Sequence, residues 1–384
     1  MTTNTLTNLI PDLHVGLDVV SRELVGMIPA VTLNADIARA KKGQSVYSSV
    51  APANSSYDIT PSMDDPAEAD QTIGNVPITI SKSKGSKFSW DGEEARGLNH
   101  GQGHMSIVAN QFAQAVRVLV NEMESDLAGL HSTTSRAFGT AGTTPFATAG
   151  DYTDASESLR ILKDNGAPVS DNHVVMNTAA GAKFIGKQAD VNRQGTDSIL
   201  RQGVLLDVSG MSLRESAQIA TPAVGTGASA TTNDAGYAVG ATVLTLASAG
   251  TGTIVVGDVV TFAGDGNKYL VASGDADVSG GGTITLAAPG LRVAMSAATK
   301  AITVVAAAAR NMVFNRGAIV LATRMPERPA QGDKAIDVTS ITDPRSGLTF
   351  EVSMYPGYRK MVYEVSLAWG FANIKPEHTA LLLG

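Results

Sequence analysis

Residues 221–309 constrain the fold of this chain more than any other stretch. They are rich in Ala, Gly, Thr and Val and carry few charges, among them Asp258, Asp265, Lys268 and Arg292. Short alternating runs at 241–246 and 259–262 are separated by Gly-rich turns, and the three glycines 280–282 read as a hairpin turn. Alternation of apolar and polar residues turns one face of a strand inward. Repeated short runs with turn signals between them predict a small β-barrel or sandwich that folds on its own. The flanking sequence is different: it mixes helix-period and strand-period runs with ordinary charge. Loop-closure entropy grows slowly with loop length, so a host fold tolerates a long insertion. The chain therefore reads as an α+β host interrupted by an all-β domain.

A chain of 384 residues has room for about two or three domains. Aromatic residues are only 5% of it, so its cores must be built from Ala, Val, Leu and Ile. The formal charge is -7, which argues against tight nonspecific nucleic-acid binding over the whole surface, because phosphate neutralisation needs clustered Lys and Arg. There is no cysteine, which excludes disulfides, thiolate zinc sites and Cys nucleophiles and is compatible with a reducing cytoplasm and equally with export. No basic residue precedes Arg22, so no secretory leader is expected. No apolar run approaches the roughly 18 residues of a membrane span; the nearest, 301–309, is short and Ala-rich.

Along the host, Leu13, Leu17, Val20, Leu24 and Ile28 fall at helical spacing and are closed by Pro29. Residues 40–97 contrast with this. They hold Pro52, Pro61, Pro66 and Pro77, with strand-like runs at 46–50 and 73–80 that predict the two sides of a long hairpin arm. An acidic segment with Asp64, Asp65, Glu68 and Asp70 lies between them, and a basic one with Lys82, Lys84 and Lys87 follows. So polar an excursion cannot bury much of itself. The strongest helix is at 105–131, with Val108, Phe112, Ala115, Val116, Leu119, Met123, Leu127 and Leu130 on one stripe. It spans roughly 40 Å, long enough to cross a plate-shaped molecule. A helix is expected at 151–164, a buried strand at 173–176, a helix capped by Thr178 and running to 187, and a strand at 204–208. Strands are expected at 311–314, 318–323, 336–342 and 348–355. The last, with Met361, Tyr363, Val365, Leu367, Trp369 and Phe371 alternating, reads as half-buried.

Few residues point to catalysis. Gly181, Gly186 and Lys187 approximate a phosphate-binding loop after a strand, but Gln188 stands where Ser or Thr must hold magnesium. The segment reads instead as a helix packed through Phe184 and Ile185. His100 and His104 have the spacing of a zinc pair, yet no Glu follows the first and Gly101 and Gly103 break the helix. His14, His131, His173 and His378 have no visible partner, and no Gly-x-Ser-x-Gly elbow occurs. No catalytic, cofactor or metal site is expected, and the chain does not read as an enzyme.

The element order, with Gly257-Asp258-Val259-Val260-Thr261-Phe262-Ala263-Gly264 in the insert, Asn311-Met312-Val313-Phe314 and Ala318-Ile319-Val320-Leu321 after it, and Trp369-Gly370 and Lys375-Pro376-Glu377 at the end, resembles tailed-bacteriophage major capsid proteins of the Hong Kong-97 fold. Within these it is similar to the coat proteins of short-tailed phages of the P-twenty-two type, which carry a β-barrel in the apical domain. It departs from them in being shorter and in lacking a long charged loop in the insert.

The resemblance implies an N-terminal arm and helix at 1–39, an extended hairpin arm at 40–97, and a spine helix with peripheral domain at 98–150. It implies an axial domain at 151–220 and 310–350, the β-barrel at 221–309, and peripheral strands at 351–384. It also implies self-assembly into hexamers and pentamers of an icosahedral virion shell. That shell would be built in the host bacterial cytoplasm with a scaffolding protein and a portal. It would enclose double-stranded DNA without reading its sequence, with no cofactor and no membrane. Asp64, Asp65, Glu68, Asp70, Lys82, Lys84 and Lys87 are the candidate contacts between subunits, as opposite charges on an arm that overlaps a copy of itself. An encapsulin-like cellular compartment of the same fold and a surface β-rich adhesin are the alternatives.

Overall fold

The computed structural model describes residues 25–51, 59, 61, 74–94, 104–148, 151–188, 207–343 and 346–384. The helix expected from Leu13 to Ile28 lies outside these residues up to position 24, and positions 25–28 are not α-helical; the acidic segment at 64–70 and His100 lie outside them too, while His104 opens the long helix. The described chain enters through a 3-10 turn, Ile28–Ala30, opened by Pro29. Four strands follow: β1 (Thr32–Ala40), β2 (Ser45–Val50), β3 (Gly74–Thr79) and β4 (Lys82–Asp91). The long helix α1 (His104–Ala128) leads to β5 (Arg136–Gly139), α2 (Thr153–Asp164), β6 (Asn172–Met176), α3 (Thr178–Gln188) and β7 (Met211–Glu215). The Gly- and Thr-rich region holds β8 (Val243–Leu246), β9 (Val259–Phe262), β10 (Lys268–Ser273), β11 (Gly282–Leu286) and β12 (Ile302–Val304). The chain closes with β13 (Arg310–Asn315), β14 (Ile319–Pro326), β15 (Asp337–Thr342), β16 (Thr349–Gly357), β17 (Lys360–Asn373) and β18 (Thr379–Leu383).

The architecture is α+β and mostly sheet. One six-stranded sheet has the order β1-β14-β17-β16-β15, with β4 also beside β17. A ten-stranded sheet runs β12-β9-β10-β5-β18-β13-β6-β7, with β11 on β10 and β8 on β11. β2 and β3 form a separate two-stranded ribbon. Helix α1 contains no Gly or Pro over its 25 residues. Its stripe of Phe112, Val116, Leu119, Met123 and Leu127 is buried with Val365, Leu367 and Trp369 of β17 and with Met312 and Phe314 of β13. Full burial of each such side chain stabilises by about 1.5–3 kcal/mol.

Three expectations change. Of the strand expected at 204–208, residues 204–206 lie outside the described residues and Val208 makes only a bridge to Met211; the described strand nearby is β7. Asn177, not Thr178, caps α3, its Oδ1 accepting the Ala180 N–H at 2.9 Å. β17 is not half-buried: positions 365–370 are all buried. Its large residues face α1. On the other face Ala368 joins a second cluster with Ala40, Ile78, Ile80, Val320 and Ala322. Gly370 lies there because a Cβ at that point would sit 2.1 Å from the Thr79 carbonyl oxygen. Small residues at alternate positions mark close chain approach here, not solvent.

Residues 221–309 hold an apolar core of their own, with Leu244, Leu246, Ile254, Val260, Phe262, Val271 and Ile284 among its members. They do not form a detached unit. β10 pairs with host strand β5, Lys268 opposite Ala137 and Tyr269 opposite Arg136. Along β10 the side chains alternate between two cores. Tyr269 and Val271 enter the core of the region itself, while Leu270 joins Val259 and Ala287 in the main core beneath α1.

This shared strand predicts one cooperative unfolding transition for the whole chain. Leu270→Ala, a truncation of a fully buried side chain, should cost about 2–5 kcal/mol and lower that single transition in calorimetry. A separate transition left in place by Leu270→Ala would mean that the β region melts by itself.

Candidate assembly arm and its anchorage

The arm forms as an antiparallel ribbon, Ser45 opposite Thr79 and Val50 opposite Gly74. At its base Gly43 N–H donates to the Ile80 carbonyl and Ile80 N–H to that of Gln44, both at 2.8 Å. Ile78 and Ile80 are buried against Val320, Ala322 and Ala368. Further out, the strands are mostly exposed, Tyr47 to 68%. Between Val50 and Gly74 only residues 51, 59 and 61 are described, so Asp64, Asp65, Glu68 and Asp70 lie outside the described part of the chain. A two-stranded ribbon holds only marginally by itself in water, so the arm depends on its base and on whatever it lies against.

The structure gives Lys82, Lys84 and Lys87 partners inside their own subunit. Residues 82, 84, 88 and 90 share one face of β4, which looks onto α1. The Lys82 ammonium donates to Glu122 and Asp126, both at 2.7 Å, and Lys84 to Glu122 at 2.5 Å. The Trp369 indole N–H donates to the other Asp126 oxygen at 2.9 Å, with the Lys82 ammonium 6.0 Å from the Trp369 ring centroid. Farther along, Phe88 stands edge-on to Phe112, centroids 4.6 Å apart, and Trp90 Nε1–H donates to Gln111. Lys87, on the opposite face, pairs with its cross-strand neighbour Glu364 at 3.1 Å.

Burial works against the Lys82 ammonium, but its hydrogen bonds to Asp126 and Glu122 prevail and hold its pKa above the usual lysine value. Burial likewise opposes the Glu122 carboxylate. The Lys82 and Lys84 donors prevail there too and lower its pKa. The basic run therefore anchors the arm's return strand to the spine helix. The sequence does carry a signal for this: Lys82 and Lys84 two apart on a strand, Glu122 and Asp126 four apart on a helix, each pair on one face.

Glu124, not singled out by the sequence, makes the second anchorage. It is 1% exposed. Its Oε2 accepts N–H bonds from Gly26 and Met27 at 3.3 and 3.0 Å and the Ser216 hydroxyl at 2.8 Å; its Oε1 accepts the Ile28 N–H at 2.8 Å. One carboxylate thus joins the chain entry, the spine helix and the segment leaving β7. Burial pushes its pKa up, and the four donors offset this only in part.

The run that approximates a phosphate-binding loop is helical. Gly181 to Lys187 lie in α3, with Phe184 buried. The Lys187 ammonium donates to the Asp151 carbonyl and lies 5.6 and 5.4 Å from the ring centroids of Phe146 and Tyr152. His173 bonds Asp171 at 3.0 Å, and His131 Nδ1 meets the Ala128 and Gly129 carbonyls. Among the described residues no group of three His, Asp or Glu is placed to hold a metal, and no helix is long and apolar enough to cross a membrane. A cavity of about 180 Å³ is lined by Thr140, Thr143, Thr144, Thr148, Asp154 and Lys268. The Lys268 amine there donates to the Gly139 carbonyl.

No family model and no curated protein matches this sequence. Solved structures align over most of it. One, of Mycobacterium phage Che8, aligns at 12% identity and TM-score 0.45, covering 89% of this chain and 85% of that one. The capsid of cyanophage P-SCSP1u aligns at 12% identity and TM-score 0.46, covering 92% and 86%. The capsid of a native GTA particle aligns at 11% identity and TM-score 0.47, covering 94% and 90%.

Two predictions follow from the anchorage. Asp126→Ala strips the buried Trp369 N–H of its acceptor and should cost about 1–3 kcal/mol; Asp126→Asn, which keeps an acceptor oxygen, should cost less in chemical denaturation. Glu124→Gln presents an amide to N–H donors and should also destabilise. Because burial holds the folded Glu124 carboxyl above the usual carboxylate range, its stabilising contribution is greatest at acid pH and is lost as pH rises through the folded value. The gap in melting temperature between wild type and Glu124→Gln should widen from pH 7.5 to 5; a gap that narrows would contradict the raised value.

Proposed function

We propose that this chain is the major capsid protein of a tailed bacteriophage, the repeating subunit of a closed icosahedral shell. The observation that carries the reading is the arm. The ribbon of β2 and β3 leaves the body with only its base buried and has too little apolar surface to hold itself. Such an element is stable when laid over a neighbour, and a molecule whose extended parts need neighbours is a lattice subunit. A long helix lying along a sheet supports the same reading, since that arrangement makes a wall.

In finer terms, the shell is built of hexamers and pentamers of this one chain in the host bacterial cytoplasm. A scaffolding protein and a portal take part, and the shell encloses double-stranded DNA. The net charge of -7 suits an inner wall that does not adhere to packaged DNA. In this role the residues described above hold the plate together and perform no catalysis.

Electron microscopy of the purified full chain, alone or co-expressed with its phage scaffolding partner, should show closed shells or capsomers. Sedimentation as a compact monomer at high concentration in both cases would end this reading.

A further inference from the structure

Lys268 of β10 and Asp154 of α2 line one cavity of about 180 Å³, walled by the loop that follows β5. Neither charge neutralises the other. The Lys268 ammonium donates to the Gly139 carbonyl. Among the described residues it has no ion-pair partner, and burial lowers its pKa. Asp154 accepts the Phe146 N–H on Oδ2 at 2.6 Å, and its Oδ1 accepts nothing from the described residues. Four threonines of the wall, Thr140, Thr143, Thr144 and Thr148, carry hydroxyls with no partner among the described residues. Phe138, Pro145 and Leu383 add apolar surface.

The wall is held in a costly conformation. Phe146 is 1% exposed and has φ 62°, in the left-handed region that a bulky side chain rarely enters. The Asp154 bond and edge-on packing against Phe184, ring centroids 5.2 Å apart, keep it there. Gly139, at φ 94°, turns the chain out of β5 into the wall at a point where a Cβ would sit 2.4 Å from the Leu383 carbonyl oxygen. Backbone held in sparsely populated regions clusters at ligand sites. Here that backbone carries the hydroxyls that the fold itself does not use.

The lining selects the class of ligand. A simple anion would meet the Asp154 carboxylate, and a simple cation the Lys268 ammonium. An uncharged molecule with several hydroxyls satisfies both, since each hydroxyl can accept from Lys268, donate to Asp154, or do either with a threonine. Hydrogen bonds to charged groups are the strong ones, and an uncharged ligand brings no charge of its own to desolvate. At about 30 Å³ per water the cavity has the room of about six waters, enough for one small ring.

We infer that this cavity binds a single monosaccharide unit, with Lys268 and Asp154 as its charged hydrogen-bond partners and the threonine hydroxyls around it. The site joins a residue of the Gly- and Thr-rich region to the host, and it does not depend on the shell reading above.

Saturation-transfer NMR on the full-length protein tests this with glucose, galactose, mannose and N-acetylglucosamine, each as the free sugar and as its methyl glycoside. At least one should receive saturation and give a titratable dissociation constant. A methyl glycoside that binds as well as its free sugar places the end unit of a glycan in the cavity; binding of the free sugar alone places a free monosaccharide there. Lys268→Met should weaken binding about tenfold or more, the size of one hydrogen bond to a charged group. Thr144→Val and Thr148→Val remove hydroxyls that hold nothing in the fold. They should weaken binding severalfold with an unchanged melting temperature, and they decide the matter if Lys268→Met fails to fold. Silence from all the sugars overturns the proposal, and so does binding that the threonine variants leave unchanged. Inorganic phosphate bound by the wild type and lost in Lys268→Met, with the sugars silent, overturns it too and makes the cavity an anion site. Neither result bears on whether the chain forms shells, which electron microscopy reads separately.

Discussion

Helix α1 meets β4 and β17 along one line, with two kinds of contact in succession. Toward its N-terminal half, Phe112 packs on Phe88 and Tyr363, centroids 4.6 and 5.4 Å away. Toward its C-terminal half, Glu122 and Asp126 hold Lys82, Lys84 and the Trp369 indole. The apolar half supplies most of the stabilisation, because burial of large side chains outweighs partly exposed ion pairs. The polar half is directional and sets where β4 lies along the helix. The arm's return strand is β4, so the same line decides from which point of the body the arm leaves. Glu124, on the same helix, fixes where the N-terminal segment enters.

The β region depends on that line at one remove. Its strand β10 lies beside β5, and Leu270 reaches into the core beneath α1. Asp258, 1% exposed, accepts N–H bonds from Gly225 and Val255 and ties the first residues of the region to the loop before β9. A perturbation of the region thus reaches the host through a shared strand and not only through linkers.

Much of this was legible in the sequence because it is local. The stripe on α1, the alternation in β8 and β9 and the two sides of the arm each follow from a repeat within one segment. What was missed depends on distant chain. Glu124 binds backbone N–H groups 96 to 98 positions away, and backbone donors leave no mark in side-chain identity. β17 read as half-buried because its second face carries Ala368 and Gly370, whose smallness serves close approach to Thr79 and Ile80. Lys82 and Lys84 read as contacts between subunits because their partners in the chain are 38 to 44 positions on. The spacings matched, but nothing in either segment alone shows that they meet. The acidic segment remains a matter of sequence, since it lies outside the described residues.

A buried charge is an expensive fastening, and replacing a buried ion pair by apolar residues often stabilises a protein. This chain nevertheless places charges where distant segments cross. Glu351, its side chain 3% exposed, lies between Arg39 at 2.5 Å and Arg328 at 2.9 Å, and Arg328 also holds Asp333 at 3.1 Å. Burial works against the Arg328 guanidinium, and the Glu351 hydrogen bond prevails to raise its pKa further. Composition gives a reason for the choice. With 5% aromatics, the cores are filled by Ala, Val and Leu, whose contacts are nearly as favourable after a small slide as before it. Hydrogen bonds between charged groups weaken steeply with angle and distance. Set between β1 and β16 of one sheet, and between the chain entry and α1, they fix orientation that small apolar side chains leave loose. On the proposed shell reading, a subunit that must repeat one shape many times around a closed surface has more need of fixed orientation than of additional stability.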